Sequence, residues 1–133
     1  YELNFPRGKE FVEAFSKRYE MRPSTAAASA YSIVYQYKDA VERAGTTDTS
    51  AIIKALEGHR YTFLKDEQYW REFDHQNVQT VYVVKVKPRN TIVEDEYSSD
   101  YFSIIDSMPG DQAAQTREEW EERRREAGKS LNL

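Results

Sequence analysis

Residues 24–58, STAAASAYSIVYQYKDAVERAGTTDTSAIIKALEG, decide the fold. At helical spacing Ala27, Ala30, Tyr31, Val34, Tyr37, Val41 and Ala44 share one side, while Ser29, Ser32, Gln36, Asp39 and Arg43 share the other. This is the pattern of an amphipathic helix whose apolar side lies on a partner surface. Ser24 can cap the first free N–H groups and Gly45 can supply the left-handed residue that ends the run, so the spacing predicts a helix over 24–44. After the TTDT turn, Asp48 or Thr49 can cap a second helix over 48–57, with Ile52, Ile53 and Leu56 as its buried stripe and Gly58 as its end.

Working outward, Pro6 suits the first turn of a helix over 6–20 in which Phe11, Phe15 and Tyr19 recur every four residues. Core packing is the ordinary destination of such a stripe, and a stacking platform is the functional alternative. Pro23 drives Arg22 out of helical geometry, making Met21-Arg22-Pro23 a corner. Beyond Gly58 the period becomes alternating. Tyr61 and Phe63 mark one short run, and Tyr69, Arg71 and Phe73 oppose Trp70 and Glu72 in another. The run 78–87, VQTVYVVKVK, is the strongest strand signal, closed by Pro88. With Asp74-His75-Gln76-Asn77 as the turn, a hairpin is expected over 69–87. Residues 89–100 read as an acidic loop, 101–105 as one more short strand, and Met108 to Asp111 as a turn. Thr116 with Glu119 forms a capping-box pattern, and Arg123, Arg124 and Arg125 follow toward the C-terminal end, so a terminal helix is expected over 116–128. The fold class is α+β: three helices, a β-hairpin and a terminal helix, organised as 1–88 and 89–133.

A chain of 133 residues with 39% hydrophobic and 32% charged residues is one globular domain's worth. No run reaches the roughly 18 to 20 apolar residues of a membrane span, and YELNFPRGKE has neither the basic start nor the apolar centre of a signal peptide. The chain begins on Tyr1 rather than Met, from which processing or a cut from something longer is expected. With no cysteine there is no disulfide framework and no thiolate zinc site. The net charge of -4 speaks against general nucleic-acid binding. The basic tail does not reverse this, because residues 116–129 hold five acidic and five basic side chains, the pattern of a solvated helix.

His59 and His75 are the only histidines. Asp74 beside His75 imitates a general base with its orienting carboxylate, but neighbours on an extended strand point to opposite faces, and no nucleophile motif accompanies them. A turn histidine bonded locally is expected instead. The two histidines lack a spaced carboxylate cluster for a metal, and the five glycines are isolated rather than forming a phosphate loop. The sequence therefore predicts no enzyme, no metal site and no cofactor.

The order of helix, tight turn and helix ending in Ala55-Leu56-Glu57-Gly58 is followed by Asp74-His75-Gln76, Gln79, Tyr82 and Val83. With the Ala30-Tyr31 pair and Ala44-Gly45 ahead of Thr46-Thr47-Asp48, these residues resemble the C-terminal part of the type I periplasmic binding proteins, the branched-chain amino acid group of ABC-transporter receptors. The DHQxxQxxYV string is the specific part. The resemblance covers residues 5–87 and continues more weakly to 110. It implies a much longer, two-lobed α/β parent that closes on a small solute such as an amino acid and delivers it to a membrane permease. It implies a periplasmic or extracytoplasmic location, with most ligand contacts upstream of Tyr1. Within this segment it implies Tyr31 as the first candidate for ligand binding, core packing being the commoner role of a tyrosine so placed. It also implies that the long helix has lost the sheet it would lie on, so that copies of the segment associate into a homo-oligomer through that face. The reading from another class is a non-catalytic interaction or assembly domain.

Overall fold

The computed structural model describes residues 5–133. Three helices come first: α1 (Pro6–Tyr19), α2 (Thr25–Ala44) and α3 (Thr49–Leu56). Their ends follow the local signals. Pro6 opens α1, Ser24 Oγ accepts from the Ala27 N–H at 3.2 Å, and Asp48 accepts from the Ala51 N–H at 3.0 Å. Gly45 closes α2 in the left-handed region, its N–H donating to the Val41 carbonyl. Gly58 does not end α3, which stops at Leu56; its N–H donates to the Trp70 carbonyl and starts the sheet.

The sheet is antiparallel, in the order β1 (Arg60–Tyr61), β2 (Gln68–Trp70), β3 (Asn77–Val78). A hairpin is present, since Tyr69 faces Val78 and Trp70 faces Asn77. It is shorter than the expected 69–87, because Arg71 already belongs to the turn and the run 78–87 breaks after Val78. The break has local causes. Thr80 Oγ1 donates to Asp66, and Gly110 lies so close to the chain that a Cβ there would sit 2.7 Å from the Gln79 nitrogen and oxygen. Beyond it, β4 (Val81–Val86) pairs with β5 (Phe102–Met108) and not with the strand before it. The register runs from Val81 opposite Met108 to Val86 opposite Phe102, with a bulge between Val83 and Val84.

The acidic connection is shaped rather than loose. It begins with the one-turn α4 (Arg89–Ile92) and then wraps around Asp95. Asp95 accepts from the N–H groups of Tyr97 (3.3 Å) and Ser99 (3.1 Å) and from Arg22 Nε (3.1 Å), which ties the segment to the corner between α1 and α2. The expected turn after Met108 contains another single turn, α5 (Gly110–Ala113). The terminal helix α6 (Arg117–Glu126) has its capping box, with Thr116 accepting from the Glu119 N–H at 3.2 Å and Glu119 accepting from the Thr116 N–H at 2.8 Å. Trp120 is buried edge-on against Phe73, ring centroids 5.4 Å apart.

Only part of the expected apolar face of α2 turns inward: Ala27, Val41 and Ala44 are half-buried, whereas Tyr31, Val34 and Tyr37 are exposed. Gln36 and Ala40 are buried and Ser32 and Asp39 half-buried, whereas Ile33, Val34 and Tyr37 are more than half exposed. The inward face meets a polar layer: Asn77 Nδ2 donates to Tyr61 Oη at 2.9 Å, Tyr61 Oη donates to Gln68 Oε1 at 3.3 Å, and Ser32 faces the Tyr61 hydroxyl. Arg43 donates to the Ala55 carbonyl of α3. The periodicity marks the face that gains most from burial, but the described elements cover Ala40 and the polar Gln36 instead, and Gln36 Oε1 finds no protein hydrogen-bond partner there.

Candidate functional site

The stripe Phe11, Phe15 and Tyr19 does not enter a core; it walls a cleft between α1 and α2. Gly8 brings α1 in, since a Cβ there would collide with the Leu64 carbonyl. The opposite wall is Tyr31 and Tyr35 of α2, with Phe63, from the segment after β1, behind them. Ring centroids follow one another at 4.6 Å (Phe15 to Tyr19), 5.8 Å (Phe11 to Phe15), 4.7 Å (Phe11 to Tyr31) and 4.9 Å (Tyr31 to Tyr35). These are ordinary spacings for interacting aromatic rings. Ala14, Ala27 and Ala30 line the space between, and their short side chains leave about 570 Å³. That volume suits a small molecule.

The cleft has few polar groups, and they lie around its edge. Tyr31 Oη donates to Tyr35 Oη at 3.3 Å, and this bond, with burial behind it, pushes the Tyr31 phenol up. Arg7 holds its guanidinium 5.0 Å from the centre of the Phe63 ring, and Arg18 holds its own 5.7 Å from that of Tyr19. Among the described residues, Glu10 contributes the one carboxylate. Tyr31 is 38% exposed, so the predicted ligand residue stands with one face in the ring cluster and the rest open to solvent. Arg7, Arg18 and Tyr35 were not anticipated. The signal for Arg7 was available, because it sits four residues before Phe11 and continues the same stripe.

The remaining polar groups are held elsewhere. Asp74 and His75 do not act together. Asp74 binds the Arg71 guanidinium, with Nε at 2.9 Å, and His75, in the left-handed region at φ 56°, places Nε2 2.9 Å from Glu57 Oε1. The histidine is in the turn as expected, but its ring reaches the end of α3 rather than a local group. Arg71 also donates to the Gln115 carbonyl at 2.8 Å and to Gln76 Oε1 at 3.1 Å while lying 4.3 Å from the Phe73 ring centre. The DHQ string is thus a knot between hairpin and tail. His59 lies 3.3 Å from Asp39, and burial, then the nearby Arg43 charge, hold its pKa low. Among the described residues, no three His, Asp or Glu side chains are grouped to share a metal ion, and no helix is long and apolar enough to cross a membrane.

The cleft is lined by rings with cations at its edge, and comparison with known proteins gives the chain its family. Residues 1–91 match the periplasmic binding protein family, so the chain belongs to that family. Its fold is similar to that of a periplasmic binding protein from Burkholderia mallei, 25% identical with a TM-score of 0.78, over 90% of this chain and 31% of that one. A branched-chain amino acid ABC-type transporter protein from Rhodopseudomonas palustris is also 25% identical, with a TM-score of 0.69 over 84% of this chain and 29% of that one. An amino acid ABC transporter substrate-binding protein from Pseudomonas fluorescens, 21% identical, shares the fold at a TM-score of 0.69, over 81% of this chain and 28% of that one. No curated protein matches the chain. The chain spans about 30% of the length of these structures. Its sparse interior agrees with that share: among the described residues the buried apolar side chains are Ala40, Ile52, Phe63, Val78 and Trp120.

Proposed function

We propose that the chain is the C-terminal part of an extracytoplasmic receptor that binds a small solute, an amino acid or related organic compound, and presents it to the permease of an ABC transporter. The observation that carries this is the family match over residues 1–91, to which the Rhodopseudomonas palustris likeness adds a transporter of branched-chain amino acids. The part played here is binding, with no catalytic step, metal or cofactor. Tyr31 is the residue proposed to touch the solute, because it offers a half-open ring and a hydroxyl at the cleft wall.

The test begins with the reading frame ahead of Tyr1, which should encode a secretion signal and two Rossmann-like βα runs. A frame that lacks them removes the receptor reading. In the full receptor, Tyr31→Phe should change the enthalpy of solute binding in a calorimetric titration, and identical affinity and enthalpy would retire Tyr31.

A second reading, a non-catalytic interaction or assembly domain, is favoured by the outward apolar face of α2, where Ile33, Val34 and Tyr37 are each more than half exposed. Self-association of the isolated chain through an apolar contact of more than about 1,000 Å² is expected of the receptor segment as well, since the long helix there lacks the sheet it would lie on. Light scattering that finds a compact monomer at micromolar concentration would defeat that expectation and support an autonomous fold.

A further inference from the structure

Two donors share one oxygen where α2, α3 and β1 meet. Arg43 Nε donates to Asp39 Oδ2 at 2.8 Å, and His59 Nε2 lies 3.3 Å from that same oxygen. The other edge of the Arg43 guanidinium donates to the Ala55 carbonyl, in the last turn of α3, and so ties α3 to α2. His59 is fixed from behind: its N–H donates to the Leu56 carbonyl at 2.9 Å, and its carbonyl accepts from the Trp70 N–H at 3.1 Å. Of the three side chains, the long and more exposed Arg43 is therefore the one with freedom to leave.

We infer that this junction is a proton-operated latch: with His59 neutral, Arg43 bridges Asp39 and the Ala55 carbonyl, and with His59 protonated, the imidazolium takes Asp39 and the guanidinium lets α3 go. The reason is charge. A neutral ring and a guanidinium can both donate to one carboxylate oxygen, but two cations meeting there repel each other. The latch stands apart from the receptor reading and needs no solute.

The surrounding groups leave Asp39 as the acceptor. Lys38 and Glu42 of α2 and Arg7 of α1 line the same space, but Lys38 holds Glu42 at 2.6 Å. Tyr61 of β1 stacks on the imidazole, centroids 6.0 Å apart, and Glu72 beyond β2 reaches Gly58 rather than the ring. His75 is engaged elsewhere, with Glu57. Burial of His59 and the Arg43 charge outweigh Asp39 and hold the ring below its ordinary pKa, so the unfolded chain binds the proton first. The junction is then intact above about pH 6.5 and is lost as pH falls from there through the folded value.

The test uses the protein as its reading frame encodes it, from about pH 7.5 to about pH 5. Histidine ring shifts follow His59, and amide exchange, corrected for its intrinsic pH dependence, follows residues 49–56. Exchange there should rise several-fold as His59 titrates, with a midpoint below about 6.5. His59→Gln, which keeps a donor and carries no proton switch, should hold exchange over 49–56 flat. Arg43→Gln should give fast exchange at every pH and move the His59 midpoint upward, since a neighbouring cation has gone. His75→Gln should leave the response in place.

The native protein alone can refute the latch: a His59 midpoint at or above about 6.5, or exchange over 49–56 that stays constant while the ring titrates, would overturn it. A response that survives in His59→Gln, or that disappears in His75→Gln, would overturn it equally.

Discussion

Replacing Arg71 by Met removes the cation at the centre of the DHQ knot and keeps most of the side chain's volume. Arg71 and Asp74 are 12% and 4% exposed, so the substitution leaves a carboxylate buried without its counter-charge. Breaking such a pair costs about 3–5 kcal/mol. Asp74 retains the Gln76 N–H at 3.2 Å, which places the loss near the lower end, about 3 kcal/mol. The freed Gln115 carbonyl adds roughly 1 kcal/mol. Against a typical domain stability of about 5–15 kcal/mol, urea unfolding followed by circular dichroism will resolve a change of that size. The pH dependence separates this cause from simple loss of packing. In the native chain burial pushes the Asp74 carboxyl up, but the Arg71 guanidinium and the Gln76 N–H outweigh it and leave the pKa below the usual range. The stability from that depressed value is present above the unfolded pKa of about 3.9 and lost as pH falls through the folded one. In the variant burial acts without the guanidinium, the pKa rises, and the penalty is relieved on protonation. The gap between native and variant stability should therefore narrow from pH 7 toward pH 3. A gap of less than about 1 kcal/mol at pH 7, or one that stays constant with pH, would refute the reasoning.

Gln36→Met should stabilise the chain by about 1 kcal/mol, because Gln36 is 6% exposed and its Oε1 has no protein partner; an unchanged or lower urea midpoint would show that the amide is satisfied. Gly8→Ala should cost about 1–3 kcal/mol, since the new methyl meets the Leu64 backbone and must push α1 away, and it should alter the shifts of Phe11 and Phe63; a neutral melting temperature would contradict that close approach. Trp120→Ala should cost about 3 kcal/mol or more and release α6, read as faster amide exchange over residues 117–126 with α2 unaffected.

Helices and caps were legible in the sequence because their causes are local: Ser24, Gly45, Asp48 and the Thr116–Glu119 box act within four residues of where they stand. The partner of β4 was not, because strand pairing is a relation between distant segments, and Val78 and Val81 look continuous until Gly110 presses on Gln79. The incomplete cover of α2 was hidden for a related reason. Its apolar pattern names a face that gains from cover, and nothing in that pattern says whether the cover belongs to this chain. The DHQ string was recognisable as a motif, yet its role depends on Arg71 meeting Gln115 across the fold. For the cleft, the ring stripe was visible, while the choice between core and open wall rested on how closely α1 approaches the segment after β1.

The long reach between β4 and β5 also sets an order of events during synthesis. Val81 to Val86 is made well before Phe102 to Met108, its one strand partner among the described residues. At about 5–20 residues per second the interval is roughly 1–4 s. For that time a valine-rich strand has both edges open, the state in which nascent chains pair with each other. Lys85 and Lys87 interrupt the run with charge. The acidic segment is translated next and supplies Asp100, which takes Lys87 Nζ at 2.7 Å, and Asp95, which takes Arg22. The carboxylates between the two strands thus arrive before the second strand does.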